Sequence, residues 1–515
     1  MEKSDQSNVS FWIPLFVVVL GAFAAILNNS SVNVALPKMM AIFGVSADQA
    51  QWVLTAYMLT SGVVIPVTGY LGDAFGTKRT YLFALAVFMA GSLLCGMAWS
   101  NNSLIGARII QGIGGGAIMP VSMAIVYRIV PRNKIGTALG LWGMAAITAP
   151  AIGPTLGGYV VDHMSWRFLF TLNVPVAVLA IALGAMLLPE SKSDRDLQFD
   201  LWGFITSAAG CFTLLLALSQ GHKEGWDSYY IVALFTFSFF MLLLFVFIEL
   251  TNPEPMLNLR LFKNIVFSIS VFGGSLISIG LFGGMLLLPI FIQNLMGRTP
   301  METGLMLMPA ALVSAVMMPI SGILFDRIGP RAITITGLLI LTLGTWEFKN
   351  LSIDSTVLYI TVTAAIRSLG MGLAMMPMTT AGMNTIPSPE VGRASSLSNV
   401  CRQVSASLGV ALLTTFMQGR QTLHLAHLSE SVSVGSPVVP QLVRQLSGML
   451  GLSGDAGQGT ALSVISGLAA RQSMVLAIND TFIVAAIFIA IAVPLAFFLG
   501  KGSIKNTVLD EKIKP

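Results

Sequence analysis

Stretches of about 20 consecutive apolar residues recur along nearly the whole of this chain, and a helix of that length crosses the hydrocarbon core of a bilayer. In hydrocarbon, only α-helices and closed β-barrels satisfy their own backbone hydrogen bonds. The stretches lack the apolar and polar alternation of a barrel strand. Charged residues make up 10% of the chain, too few to cover a soluble domain, where they make up about 25%. The sequence therefore predicts an all-α polytopic membrane protein.

Fourteen of these stretches are long enough to be predicted as membrane spans. They occupy residues 11–36, 48–70, 79–99, 104–129, 136–161, 167–189, 200–219, 229–250, 266–294, 302–325, 331–349, 355–385, 391–418 and 476–500. Lys and Arg concentrate in the short loops on one side, which the positive-inside rule assigns to the cytoplasm. An even number of spans then places both termini in the cytoplasm and segment 419–475 outside. Since the basic residues follow this topology, the net charge of +5 does not indicate nucleic-acid binding.

The chain repeats itself at a nearly constant spacing. The run Gly69–Arg79 returns as Gly322–Arg331, and Asp73 and Asp326 are 253 positions apart (326 − 73). Three further pairs are 256 positions apart: Pro131 with Pro387, Gly136 with Gly392, and Gly153 with Gly409. A shared offset predicts two six-helix halves of the same topology. We place them at 1–189 and 263–515, with two additional spans between them in the linker 190–262.

Several motifs give this repeat a family resemblance. The run Gly69–Arg79 resembles the signature loop of the major facilitator superfamily, and Leu104–Gly112 resembles its fourth-helix motif. The run Ala149–Gly158 resembles the fifth-helix motif of its exporters. Trp166–Pro175 and Gly392–Asn399 are similar to the fourteen-helix drug/proton antiporters within that superfamily.

The resemblance implies a multidrug efflux transporter in a bacterial cytoplasmic membrane, and not an enzyme. It implies export of lipophilic small molecules across the lipid bilayer by alternating access, in exchange for protons, without a cofactor or a metal. The alternative is a dedicated exporter of one metabolite, lipid or peptide-like product, with different or weak proton coupling. A channel would not need the repeated loop, and a sensor would add a soluble domain. The P-loop pattern of an ATP-driven pump is absent from the sequence.

Arg108 is the sharpest candidate for a coupling residue. It lies inside a predicted span with no charge nearby in the sequence, and an ionisable group in a membrane is costly enough to indicate function. Gln111 follows one turn later, on the same helix face. In the family this arginine is implicated in proton coupling. The alternative is that Arg108 lies near the end of its span and extends to the interface.

Asp73 and Asp326 are predicted to gate the transporter. Each ends a span beside basic residues, where a carboxylate can pair with those bases or with the N-terminus of a neighbouring helix. Such a contact would be a latch that opens when the halves rock, and a static loop anchor is the alternative. Pro150 and Pro154 fall in one helix and are predicted to form a hinge. An intramembrane aspartyl protease would need its two aspartates inside the membrane, in a G-x-G-D pattern that Asp73 does not match.

A substrate cavity is predicted between the halves near the middle of the membrane. Its candidate lining residues are Asn28, Asn33, Tyr57, Gln111, Met375, Met376, Asn399, Arg402 and Gln403. A hydrogen-bond network between helices, or ordinary methionine packing, would explain the same residues. The family usually has an aspartate in the first helix where this chain has Asn28, and no acidic residue lies near the middle of a predicted span. The cavity therefore suits neutral or anionic compounds, with Arg108, Arg367 and Arg402 available as counter-charges.

Segment 419–475 is too long for a simple connection in a chain whose other loops are short. Its apolar residues recur at roughly helical spacing, which predicts one or two amphipathic helices. These helices could lie on the membrane surface, cap the cavity, or dock a periplasmic adaptor protein if the cell has two membranes. Docking of an adaptor protein is what the resemblance implies for relatives in double-membraned bacteria.

Overall fold

The computed structural model describes residues 11–131, 134–190, 198–431, 438–449 and 454–500. Within these residues the chain is built of helices, and thirteen helical spans are long and apolar enough to cross a membrane. The helix Pro330–Glu347, with a charged residue near each end, is not among these thirteen and lies where the span 331–349 is predicted. The two chain termini lie outside the described residues.

The first half contributes six spans. Their helices are α1 (Trp12–Phe43), α2 (Ala47–Val64) continued by α3 (Thr68–Ala74), α4 (Thr77–Gly96), α5 (Asn101–Ile129), α6 (Ile135–His163), and α7 (Phe168–Thr171) continued by α8 (Asn173–Leu187). The additional pair is α9 (Leu201–Glu224) and α10 (Tyr229–Thr251). The second half contains α11 (Ile265–Ile290), α12 (Pro300–Ile328), α13 (Pro330–Glu347), α14 (Val357–Met383), α15 (Val391–Ser431), α16 (Val438–Met449) and α17 (Gly454–Ala496).

Glycine contacts repeat between the two halves at the spacing seen in the sequence. A Cβ on Gly114 of α5 would lie 2.5 Å from the carbonyl oxygen of Ala84 on α4. A Cβ on Gly370 of α14 would likewise lie 2.7 Å from the carbonyl oxygen of Gly337 on α13. In a bilayer the lipid tails are as apolar as the side chains, so the hydrophobic effect does not bring helices together. Small residues instead let helix backbones approach closely and pack against each other. The sequence repeat is therefore also a repeat of helix packing.

The halves meet on one side through α6 and α12, which pack along their length. A Cβ on Gly140 would lie 2.6 Å from the carbonyl oxygen of Met318. At the other end of the pair, a Cβ on Gly304 would fall against Thr155. We name as the basic face the end of the bundle that carries Asp73, Asp326, Arg128, Lys263, Arg331 and Arg393, and as the far face the opposite end.

The additional helices lie on the other side of the seam, between α2 and α15. Leu215 of α9 packs on Leu59 of α2, and Trp226 donates a hydrogen bond from Nε1 to Oγ1 of Thr415 on α15, at 2.9 Å. Lys223 forms an ion pair with Asp48 at 2.9 Å on the far face. The pair α9–α10 thus contacts both halves.

The segment 419–475 is not a loop over most of its described length. Helix α15 continues to Ser431 and α17 already begins at Gly454, so both project beyond a single membrane crossing, with α16 between them. Asp480 joins the two projecting helices, because its Oδ2 lies 2.6 Å from Nε of Arg420 and 2.8 Å from Nε2 of His424. The expected helices are present, and residues 432–437 and 450–453 lie outside the described residues.

Candidate functional site

Arg108 lies in the interior of the first half, where its side chain is 0% exposed. Its Nε donates to the carbonyl oxygen of Val53 at 3.0 Å, and its Nη1 donates to Oδ1 of Asn28 at 2.9 Å and to Oε1 of Gln111 at 2.6 Å. The guanidinium also lies 4.2 Å from the ring centroid of Tyr57. Helices α1, α2 and α5 therefore converge on one charge. Because Arg108 is fully buried among them, it does not extend to the membrane interface.

No carboxylate forms an ion pair with Arg108 among the described residues. Its charge is instead compensated by carbonyl and amide oxygens and by an aromatic face. Gln111 is held in turn, since its Nε2 donates to Oγ of Ser92 at 2.8 Å. A buried charge without a counter-ion is stabilised only while these oxygens stay aligned. The network can therefore respond to any movement of α1 or α2.

Three predicted cavity residues belong to this network. Asn28, 1% exposed, and Tyr57 are buried beside Arg108, as is Gln111. Asn33 has a different environment, because it is exposed together with Asn29 one turn earlier on α1. Asn29 also accepts a hydrogen bond from Nη2 of Arg108 at 3.4 Å. The exposed Asn face of α1 therefore connects directly to the buried arginine.

The second half holds a separate polar group near the seam. Arg402, partly exposed, donates through Nη2 to Oδ1 of Asn399. Ser395, one turn before Asn399, donates to the carbonyl oxygen of Pro120 in the first half at 3.0 Å. Gln403 is partly exposed beside them. This group thus lies on a helix that touches both halves.

The methionines and Arg367 occupy other positions in the second half. Met376 lies at the seam, 3.4 Å from a Cβ built on Gly143 of α6, and Met375 is partly buried. Arg367 lies within the second half, where its Nη2 donates to the carbonyl oxygen of Leu281 at 3.3 Å. Its contacts are thus with the second half's own helices, whereas Arg402 lies by the seam.

The aspartates of the repeated loop contact the opposite half at the basic face. Asp73 lies 3.3 Å from Nη2 of Arg128 and 3.3 Å from Nε of Arg393, at the start of α15. Lys78 and Arg79, the bases next to Asp73 in the sequence, pair with Glu190 instead. Asp73 therefore pairs with arginines that are far from it in the sequence, and not with the basic residues beside it.

Asp326 makes the equivalent contact from the second half to the first. Its Oδ1 accepts from the backbone N–H of Gly136 at 3.0 Å. Its Oδ2 accepts from the N–H of Thr137 at 3.0 Å and from Oγ1 of Thr137 at 2.8 Å. These N–H groups start α6 and have no partner within that helix, and the helix dipole favours a carboxylate there. Arg327 and Arg331 form no ion pair with Asp326 in the described part of the chain.

We name the contacts of Asp73 and Asp326 with the opposite half the two latches. A further bridge, 2.8 Å between Oγ1 of Thr68 and Oγ of Ser396, lies beside the first latch. All of these contacts are ion pairs or hydrogen bonds across the seam. Such polar contacts can exchange for water when the halves separate.

Pro150 and Pro154 stand four residues apart in α6. Pro154 has no N–H, so the carbonyl oxygen of Pro150 lacks its helical partner, and Oγ of Ser30 on α1 donates to it at 2.9 Å. Gly153 and Gly157 let α1 approach, since a Cβ on either would crowd Ser30 or Ser31. This part of α6 therefore lacks one helical hydrogen bond and is instead hydrogen-bonded to α1, next to the Asn28–Arg108 network.

Comparison with known proteins gives a consistent result. A family model described as Major Facilitator Superfamily matches residues 18–410. The chain is 36% identical over 502 residues to the uncharacterized MFS-type transporter YhcA of Bacillus subtilis, covering 97% of this chain and 94% of that one. It is 30% identical to the multidrug transporter protein MdtP of Bacillus subtilis, covering 96% and 94%. It is 29% identical to the lincomycin resistance protein LmrB of Bacillus subtilis, covering 86% and 91%.

Solved structures share the fold at low sequence identity. The human organic anion transporter MFSD10 superposes with a TM-score of 0.58 at 13% identity, covering 94% of this chain and 100% of that one. The proton:xylose symporter XylE superposes with a TM-score of 0.57 at 14% identity, covering 94% and 96%.

Proposed function

The chain belongs to the major facilitator superfamily of transporters, and we propose that it exports lipophilic small molecules by alternating access. We propose further that export is coupled to protons and takes place in the bacterial cytoplasmic membrane, with the basic face and both termini in the cytoplasm. Multi-pass helices and relatives described as a multidrug transporter and a lincomycin resistance protein support this function.

The main support for alternating access is the pair of latches. Asp73 of the first half reaches Arg393 of the second, and Asp326 of the second reaches the start of α6 in the first. Reciprocal polar contacts at one end of a two-fold repeat are what a rocking transporter needs to close that end. The structure then corresponds to a state closed at the proposed cytoplasmic face. Opening the latches would expose the seam to the cytoplasm.

The substrate range follows from the charges near the seam. Asn28 is neutral and already bonded to Arg108, so it gives a cation no counter-charge. Arg402 is partly exposed and has no ion pair with a carboxylate among the described residues. We therefore propose neutral and anionic lipophilic compounds as substrates, with a dedicated exporter of one metabolite, lipid or peptide-like product as the alternative.

Uptake into inverted membrane vesicles tests this function. The probes are a neutral lipophilic dye, an anionic lipophilic dye and a lipophilic cation, each with an acidic lumen and with nigericin present to collapse the pH gradient. We expect the first two to accumulate in the lumen, and nigericin to prevent it. Vesicles without the protein are the control. Accumulation that nigericin leaves unchanged would refute proton coupling, and accumulation of a single compound would favour the dedicated exporter.

Cysteine labelling tests the orientation. In a background without Cys95, Cys211 and Cys401, an impermeant maleimide added to intact cells should label Ser463→Cys on α17. It should label Glu254→Cys, on the basic face, only after the cells are opened. Both positions are exposed, so accessibility of the side chain does not limit either reaction. The reverse labelling pattern would place the basic face outside.

Replacing residues 425–470 by a short Gly/Ser linker tests the role of the projecting helices. If these helices dock an adaptor protein, vesicles should still transport while whole cells lose resistance. If they cap the cavity, both assays should lose activity. We expect the second result, because α15 and α17 run without a break from their spans into this segment, so the linker shortens both helices. Retained transport in vesicles would contradict the cap.

A further inference from the structure

Glu249 is a buried carboxyl group that the transport cycle described so far does not use. It lies in the last turn of α10 and is 0% exposed. Its Oε1 and Oε2 both lie 3.2 Å from the backbone N–H of Leu257. Among the described residues no Lys, Arg or His nitrogen lies within 4.0 Å of it. A fully ionised carboxylate at such a site would be costly, because backbone N–H groups of Leu257 and Met256, and no cation, replace its water shell.

A second carboxyl group adjoins Glu249. Asp200, 8% exposed, caps α9, where its Oδ1 accepts from the N–H of Gly203 at 2.8 Å and its Oδ2 accepts from Nδ2 of Asn252 at 2.9 Å. A Cβ on Gly203 would lie 2.5 Å from Oδ2 of Asp200 and 3.0 Å from Oε1 of Glu249. The two carboxyl groups therefore flank one glycine.

Arg393 connects this pair to the first latch. Its positive charge acts on Glu249 from beyond hydrogen-bond distance, and it is also the arginine that pairs with Asp73. The remaining charged groups around the site are engaged elsewhere. Arg260 donates to the carbonyl oxygens of Leu250 and Asn252, Glu390 accepts from Nδ2 of Asn258, and exposed Glu254 accepts from the N–H of Gln198.

Asp200 and Glu249 are two neighbouring buried carboxyl groups. Neither forms an ion pair among the described residues, and Arg128 and Arg393 both pair with Asp73. Fully ionised, Asp200 and Glu249 would be two adjacent negative charges inside the protein, and one bound proton would remove one of them. Like charges that share a site are expected to retain a proton between them. Glu249 is the more deeply buried of the two.

We infer that Glu249 is a proton-binding site linked to the latches. With the latches closed, its carboxyl group holds one proton. When α15 moves away from α3, water enters and the group releases that proton to the basic face, leaving a hydrated carboxylate. The role in coupling rests on the proposed proton-driven export, whereas the protonated state itself does not.

The direction of the linkage follows from hydration. The closed state binds the proton more tightly than the hydrated open state, so acid on the basic face should favour closed latches. When the latches open, Arg393 moves away from Glu249. The loss of this positive charge favours the protonated carboxyl group and so opposes the effect of hydration. Arg393 is the weaker influence, because it does not contact Glu249 directly and already pairs with Asp73 at 3.3 Å.

Isotope-edited infrared spectroscopy of the purified full-length protein tests the site without transport. A protonated carboxyl group at neutral pH gives a C=O band, and ¹³C-labelled glutamate should shift that band in the wild-type protein. Glu249→Gln should lose the band, whereas Glu254→Gln, an exposed glutamate near it in the chain, should keep it. A band that glutamate labelling does not shift, or that survives in Glu249→Gln, would overturn the assignment. Either result would leave the vesicle assay of export unaffected.

Access to the latches tests the linkage. In the cysteine-free background, maleimide labelling of Ser396→Cys from the basic face should increase as the pH on that face rises. Adding Glu249→Gln, which resembles the protonated acid, should keep labelling at the low level found in acid, and adding Glu254→Gln should not. The same pH profile in both variants would overturn the linkage while leaving proton-coupled export to be judged by its own assay.

Discussion

Replacing Arg108 by alanine is expected to lower export by on the order of 100-fold or more, equivalent to about 2.7 kcal/mol. The guanidinium joins α1, α2 and α5 through Asn28, Val53 and Gln111. Alanine would remove the charged donor to Asn28 and would leave Oε1 of Gln111 with only the weak thiol donor of Cys95, 3.9 Å away. An acceptor left dry and without a partner costs about 1–3 kcal/mol. The relative positions of α1 and α2 would then no longer be fixed near the seam. Initial rates of uptake into inverted vesicles measure the effect.

Lysine at this position should recover only part of the activity, about a tenth of the wild-type rate. Its ammonium group keeps the charge but lacks the planar fork that reaches Val53 and Asn28 together. Arg298→Ala is the matched control, since Arg298 is exposed and its ion pair with Glu302 belongs to a class worth about 0.3–0.5 kcal/mol. Each variant must elute as a folded protein in detergent. Normal export by folded Arg108→Ala would show that the arginine is structural.

The sequence predicts the architecture well because membrane helices must satisfy their own backbones. Apolar length therefore reveals each span, and the spacing of Asp73 and Asp326 reveals the repeat. It also identifies Arg108, since a charge inside a span is rare. The helix boundaries predicted from the sequence are wrong where helices extend beyond the membrane, as α15 and α17 do. Helical hydrogen bonding does not stop at the edge of the bilayer.

The partners of these residues could not be predicted from sequence spacing. Asp73 pairs with Arg393, 320 positions away (393 − 73), and not with the bases beside it in the signature loop. Asn28 lies against Arg108 because α1 and α5 meet in the interior of the first half, a contact that the spacing of the two residues in the sequence does not indicate. Glu249 looks like an ordinary acid at a helix end. Its burial results from the chain after α10 folding back over it.

Replacing Gly322 by alanine is expected to keep the latches open and to lower export at least tenfold. A Cβ at this position would lie 2.6 Å from the carbonyl carbon and even closer to the carbonyl oxygen of Gly136, and 2.9 Å from Cα of Thr137. These are backbone atoms of the opposite half, so no side-chain rotation relieves the contact. Overpacking of this kind costs about 1–3 kcal/mol, which corresponds to roughly 5–150-fold in the balance between closed and open states.

The contact exists only when the halves meet, so Gly322→Ala should leave the folding of each half intact while disfavouring closure. Labelling of Ser396→Cys from the basic face should therefore rise to a level that no longer depends on pH. Gly274→Ala is the matched control, because a Cβ on Gly274 of α11 would have no atom within 4 Å apart from its chain neighbours and the nearby backbone of its own helix. Export and labelling equal to those of this control would mean that α6 and α12 do not need this close approach. Loss of export with wild-type labelling would place the defect in some other step than closure.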